Sequence, residues 1–293
     1  MGTAKTVLIT LATLVVMALA GAALVVGGGL YDVAATQQHW QPVYSLLERA
    51  MHQSVRLRSR NIEPPPDMVL DDPRLLARGA ACFRDKCVQC HGAPGVAQQD
   101  FGQSMQPLPG PLVDATQRWK PRELYWLTRH GIRMSGMPAW QFHMADEDIW
   151  AVVGFLQKLP ALTPQQYAQA VMTTASAAAD APSAAPACIR PPSSPASVMR
   201  TPDRLRGATA LAQYACNACH TIPGIPGSHP QVGPPLAGIG RRSLIAGKLA
   251  NTPENMVVWI TRTHEIDPKS AMPSLEVSQE DARDMAAYLA TLD

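Results

Sequence analysis

The chain has 293 residues, 25 of them Lys or Arg and 23 Asp or Glu. That length gives room for about two domains, and a net charge of +2 makes no electrostatic case for nucleic acid. Aromatic residues are only 5%, and the 27 prolines cluster in the middle of the chain.

The first element is Val7 to Leu30, 24 residues without a charge. As a helix it would be about 36 Å long, enough to cross a bilayer with some tilt. Lys5 precedes it and no Lys or Arg follows until Arg49, which predicts a cytoplasmic N-terminus with the rest of the chain outside. A cleaved signal peptide, cut near Ala34-Ala35, is the alternative. The run exceeds the usual signal core, which favours a retained anchor. Gly27-Gly28-Gly29 would fray its outer end.

Tyr31 and Trp40 then suit a membrane–water interface. Pro42 can open a helix, and Val43, Leu46, Leu47, Ala50, Met51 and Val55 recur at helical spacing. Two readings stand: a helix lying on the membrane or a partner subunit, or a stalk packed on the domain that follows. Glu63-Pro64-Pro65-Pro66 stops it.

Two pentapeptides carry the chemistry: Cys87-Val88-Gln89-Cys90-His91 and Cys216-Asn217-Ala218-Cys219-His220. C-x-x-C-H is the attachment signature of a c-type haem. The two thiols form thioethers, and the histidine on the same helical turn supplies an axial nitrogen. A structural zinc needs four ligands, usually from two paired motifs close together, and these motifs lie in opposite halves of the chain. Two covalently bound haems are expected, with His91 and His220 as iron ligands, and each would add apolar surface to a small core. Such attachment requires export, in agreement with the anchor. The expected location is the bacterial cytoplasmic membrane, single-pass, with the haem domains on the periplasmic side.

The surroundings of the motifs repeat. A helix leads into each, from Asp72-Pro73 in the first copy and through Gly207, Leu211 and Tyr214 in the second. A loop follows with a Gly-Pro step, Gly110-Pro111-Leu112 and Gly233-Pro234-Pro235-Leu236. Next come a helix, at Arg122–Leu127 and Pro253–Ile260, and a Met-Pro step, at Met137-Pro138 and Met272-Pro273. Each copy closes with a helix whose first turn is acidic, at 145–156 and 278–289. The fold class is therefore all-α: an N-terminal transmembrane helix and two tandem copies of one helical module. The expected boundaries are 1–30 for the anchor, 31–71 for an amphipathic helix and connector, and 72–162 for the first domain. An Ala/Pro/Ser-rich linker at 163–201 and a second domain at 202–293 complete the chain. Tyr167 to Thr173 can extend the first module as helix. As a coil, Thr173 to Thr201 would span about 30 Å on average.

A sixth iron ligand must come from elsewhere. A thioether opposite histidine raises the potential. Met272 is the candidate in the second module. Met137 is preferred over Met134 in the first, because its Met-Pro step matches the other copy. His130, His143 and His264 are the bis-histidine alternatives. Haem carboxylates need donors; Trp259, Arg241 and Trp126 are candidates, with packing or surface charge as the plain alternative. Cys82 and Cys188 are left over and would pair outside the cytoplasm, unless Cys82 is simple packing.

These residues resemble the class I cytochrome c family over about residues 74 to 293. The resemblance implies haem held between N- and C-terminal helices, His/Met iron, a carbonyl of Pro111 and of Pro234 on the proximal histidine, and Trp259 on a propionate. Residues 219–273 are more specifically similar to the cytochrome c domain fused to subunit II of some bacterial haem-copper oxidases. No cupredoxin domain precedes it here. The expected function is single-electron transfer in a respiratory chain, between a quinol-oxidising complex and a haem-copper oxidase or within the oxidase. An electron-accepting subunit of a periplasmic dehydrogenase is the alternative, and a dihaem peroxidase a third. No independent catalytic site is expected.

Overall fold

The computed structural model describes residues 2–180, 201–227, 230 and 232–293. The chain divides into two compact units, residues 1–193 and 194–293.

In the first unit, α1 (Thr3–Gly27) is exposed along its whole length. Its mean hydropathy of 2.5 makes it long and apolar enough to cross a membrane. It ends at the triple glycine, with Gly29 at φ +64. Helix α2 (Gln41–Ser59) carries Pro42 in its first turn. Its two halves differ. Val43, Leu46 and Leu47 are exposed, whereas Val55 and Ser59 are buried and His52 stacks flat on Trp119 at 4.1 Å. The C-terminal half is thus the packed stalk, and the N-terminal half leaves its apolar stripe uncovered by the described residues of this unit.

The first module is built on two crossing helices, α3 (Pro73–Lys86) and α8 (Asp146–Lys158). Asp72 starts α3 by accepting from the Arg74 and Leu75 N–H groups, with Pro73 supplying the pre-set φ of a first helical residue. Between them come the single turns α4 (Val88–His91), α5 (Asp100–Gln103) and α6 (Ala115–Arg118), then α7 (Pro121–His130). The core is Phe83, Ile149, Val152, Val153, Phe155 and Leu159, with Trp150 stacked on Tyr125 at 4.2 Å. Emptying the centre of this cluster by Phe83→Ala costs about 3–5 kcal/mol. Crossing so closely requires a residue without a side chain: a Cβ on Gly79 would stand 2.1 Å from the Ala151 carbonyl oxygen.

Helix α9 (Pro164–Asp180) covers the stretch from Tyr167 to Thr173 that could extend the first module as helix, and runs on either side of it. Tyr167 is buried and its ring lies 6.3 Å from Phe83 and 6.4 Å from Phe155, so the start of the expected linker is a further helix of the first module. Residues 181–200, the rest of that linker, lie outside the described residues.

The second unit repeats the plan. Helix α10 (Arg204–Gln213), started by Asp203, crosses α13 (Gln279–Leu289), started by Ser278. Helix α11 (Pro253–Thr261), started by Thr252, and the turn α12 (Thr263–Ile266) lie between them in sequence. The core is Leu211, Ile239, Met256, Ala282, Met285 and Leu289. One element is absent from the sequence reading: a minimal hairpin pairing β1 (Leu244–Ile245) with β2 (Leu249–Ala250). Strands of two residues carry no periodicity to detect, and Ala246 (φ 49) and Gly247 (φ 70) make the turn.

Candidate haem-attachment sites

Each C-x-x-C-H motif follows directly on the first crossing helix of its module. The His91 N–H donates to the Cys87 carbonyl, and the His220 N–H to the Cys216 carbonyl, both at 2.9 Å. Both cysteines and the histidine therefore share one helical turn. Burial, more than the neighbouring Cys90, pushes the Cys87 thiol up to about 12. Burial likewise pushes Cys216 up to about 11. Both sulfurs belong to apolar surroundings, as a thioether on a buried ring requires.

The histidines are oriented from behind. His91 Nδ1 is 2.6 Å from the Gly110 carbonyl and His220 Nδ1 is 2.8 Å from the Pro234 carbonyl. A carbonyl only accepts, so Nδ1 carries the proton and Nε2 is left as the free nitrogen for a metal. Burial lowers the His91 pKa, partly offset by this bond, which favours the neutral ring a metal needs.

The first of these contacts corrects the expected role of Pro111. Its acceptor is one residue earlier, Gly110. In both modules the carbonyl belongs to the residue before a Pro-Leu pair, Pro111-Leu112 and Pro235-Leu236, and both leucines pack on their cores. The correct match is thus Gly110 with Pro234, a shift of one from the Gly-Pro match. A cavity of about 420 Å³ lies beside His91 and this loop, with Leu112 and Leu159 in its lining. In the second module Gly233 lies against the ring, where a Cβ would stand 2.6 Å from His220 Cε1.

The two Met-Pro steps share one local turn. The Met137 N–H donates to Ser135 Oγ and the Met272 N–H to Ser270 Oγ, each at 3.2 Å. Both methionines are half-buried. Met134 differs: it is 92% exposed, at φ 60, with its thioether in solvent. Thr263, buried after α11, places its Oγ1 2.5 Å from the Trp259 carbonyl and 3.8 Å from Met272 Sδ. The repeated Met-Pro step was legible in the sequence; the serine two residues before each methionine and the approach of Thr263 to Met272 were not. Among the alternative ligands, His264 Nε2 lies 3.1 Å from the Ser270 carbonyl, His130 packs on Trp126, and His143 sits edge-on to Trp140.

Trp259 is half-buried on the second core. Arg241 is exposed at the end of a short 3-10 turn. It is Arg242 that reaches back, donating to the Pro235 and Ala237 carbonyls, and Asn251 Nδ2 ties the same loop through the Ile239 and Arg242 carbonyls. In the first module Trp126 is half-buried. Cys82 is fully buried and does not stand as a free thiol; Cys188, the partner weighed for it, lies outside the described residues.

Residues 74–156 match the family described as cytochrome C oxidase, cbb3-type, subunit III, and residues 205–293 match the cytochrome c family. The chain carries two cytochrome c domains in tandem. Cytochrome c oxidase subunit 2 of Alkalihalophilus pseudofirmus is 31% identical over 88 residues, which is 30% of this chain and 25% of that protein. The chain thus matches about a quarter of that relative's length. No solved structure matches the chain.

Cytochrome c domains imply covalently bound haem c and electron transfer. The donor set fits that group: two thiols and one histidine on a turn, Nδ1 already committed, and an apolar core alongside. Bound there, haem supplies one-electron iron chemistry. The motif cysteines would attach it, and the Gly110 and Pro234 carbonyls would orient the imidazoles.

Proposed function

We propose that this chain is a membrane-anchored dihaem c-type cytochrome that passes single electrons in a respiratory chain, to or within a haem-copper terminal oxidase. The observation that carries the reading is the repeated pair of anchors. In each module a backbone carbonyl holds Nδ1 of the motif histidine, and a Ser-x-Met-Pro turn holds a half-buried methionine. Both modules keep that pattern.

Cys87, Cys90, Cys216 and Cys219 would form the thioethers, with His91 and Met137 on one iron and His220 and Met272 on the other. A thioether opposite histidine raises the potential and closes the sixth position, which suits relay rather than substrate binding. Trp259 and Arg241 would donate to the second haem's carboxylates. Helix α1 would hold the chain in the bacterial cytoplasmic membrane with both domains on the periplasmic face. The oxidase assignment draws on the oxidase families of the first match and of the curated relative.

Membranes from the native host, solubilised in mild detergent, test this directly. The expected result is two covalent haems per chain, an oxidised spectrum with the red-end methionine-to-iron band, and copurification with oxidase subunits. One haem per chain, rapid carbon monoxide binding to a native haem, or copurification with a periplasmic dehydrogenase instead would overturn it.

A further inference from the structure

A second cavity, of about 620 Å³, opens where α2 meets the segment from α6 into α7. We propose that it is a binding site for a phosphate-bearing anion.

Its lining is cationic: Arg56 from α2, then Arg118, Lys120 and Arg122. The one acid among the lining residues is Glu123, and its carboxylate is occupied in accepting the Lys120 N–H at 2.8 Å. Arg118 also reaches Asp114 at 3.2 Å, but both side chains are about half exposed, so this pair is screened and weak. The first turn of α7 lines the same space, but Pro121 has no N–H and the Glu123 N–H donates to the Lys120 carbonyl, so the side-chain cations carry the attraction.

Two buried donors point to a ligand. Arg122 Nε and Gln157 Nε2 are both shielded from solvent, have no hydrogen-bond partner, and belong to lining residues of this cavity. Leaving such groups unpaired is costly, because they have given up water without gaining a partner. Guanidinium forks match phosphate oxygens in pairs, and four cations in a cavity of this size suit a multiply charged anion better than a single carboxylate. Trp119, stacked on His52, forms an apolar wall.

No motif cysteine, His91 or Met137 lines it. Arg56 comes from a helix N-terminal to the matched cytochrome domain, so the domain by itself would not build the site. The proposal does not depend on the partner complex.

The test is calorimetric titration of the haem-loaded full chain with sodium pyrophosphate, in nanodiscs of neutral lipid at low salt. The expected result is saturable 1:1 binding, weakened about tenfold by Arg56→Gln and by Arg122→Gln as one charge-assisted contact is lost. Arg49→Gln, on the same helix but outside the lining, should leave it unchanged. Arg56 is exposed, so its substitution preserves the fold even if Arg122→Gln does not. Repeating the titration in nanodiscs containing phosphatidate identifies the natural source. Abolished pyrophosphate binding there assigns a lipid headgroup, and unchanged binding assigns a soluble phosphate. Absence of saturable binding in neutral nanodiscs, or binding that Arg56→Gln leaves intact, overturns the proposal.

Discussion

Gly207 lies directly against the backbone of Asp284: a Cβ at position 207 would stand 1.9 Å from the Asp284 carbonyl oxygen. Gly79 stands in the same relation to Ala151. In both modules the crossing pair, α3 with α8 and α10 with α13, meets at a point where only glycine fits. Gly207→Ala and Gly79→Ala must push the helices apart, at a cost of about 1–3 kcal/mol or more. Chemical denaturation should show separate losses, each confined to its own domain. A stability within error of wild type would mean the helices do not cross this closely.

Asp284 is also the anchor of the second domain's N-terminus. Its carboxylate, only 2% exposed, accepts from the Asp203 N–H at 2.6 Å and from Arg206 Nε at 2.8 Å. Asp284→Ala leaves the Arg206 charge and a backbone N–H without their partner and should cost about 3 kcal/mol. Arg206 itself is 41% exposed, so Arg206→Ala should cost clearly less. The pair of unfolding midpoints checks the order.

Gly233 keeps His220 in place. An alanine there would meet His220 Cε1 at 2.6 Å and Nδ1 at 2.7 Å, turning the ring off the Pro234 carbonyl. Gly233→Ala should therefore reduce haem attachment or the methionine band in the second domain, with the first domain's spectrum unchanged. Resonance Raman of the isolated variant reads both.

The methionines separate by exposure. Met137→Ala and Met272→Ala should each remove about half of the red-end methionine band. Met134→Ala, at a side chain in solvent, should remove none. Loss of the band in the Met134 variant would reverse the assignment of the first iron's ligand.

Tyr125 gives the first domain an alkaline limit. Burial, reinforced by the Asp146 carboxylate, pushes its phenol up to about 12 from an ordinary 10.0. An acid with a raised folded pKa binds its proton more tightly in the folded state, so stability falls as pH rises from about 10 towards 12. Tyr125→Phe should flatten that part of the profile, leaving the slope from Tyr167, also pushed up to about 12. Denaturation midpoints measured between pH 9 and 12 test the sign.

Much of the site was legible because its chemistry is local. C-x-x-C-H places its own three groups on one turn, and the Met-Pro step occurs twice. What failed to read out depended on distant pairs. The carbonyl on His91 comes from Gly110, 19 residues away, and the Gly-Pro spelling points one residue too far. That Tyr167 to Thr173 could extend the first module as helix was legible, but not the partners of Tyr167, Phe83 and Phe155, which lie in two other helices. Thr263 lay beyond the expected helix with nothing to mark its approach to Met272.

The sequence by itself determined the number of modules, their order, the attachment chemistry and the apolar segment at the N-terminus. Those follow from spacing within a turn and from uninterrupted hydrophobicity, which need no fold to be read. Only the tertiary structure decided which carbonyl orients each histidine, which of two methionines is half-buried, and which half of α2 packs. It alone gathered Arg56, Arg122 and Gln157 around one cavity. Each of those outcomes is a distance between residues far apart in the chain, set by how closely two glycines let their helices cross and by what the cores then draw inward.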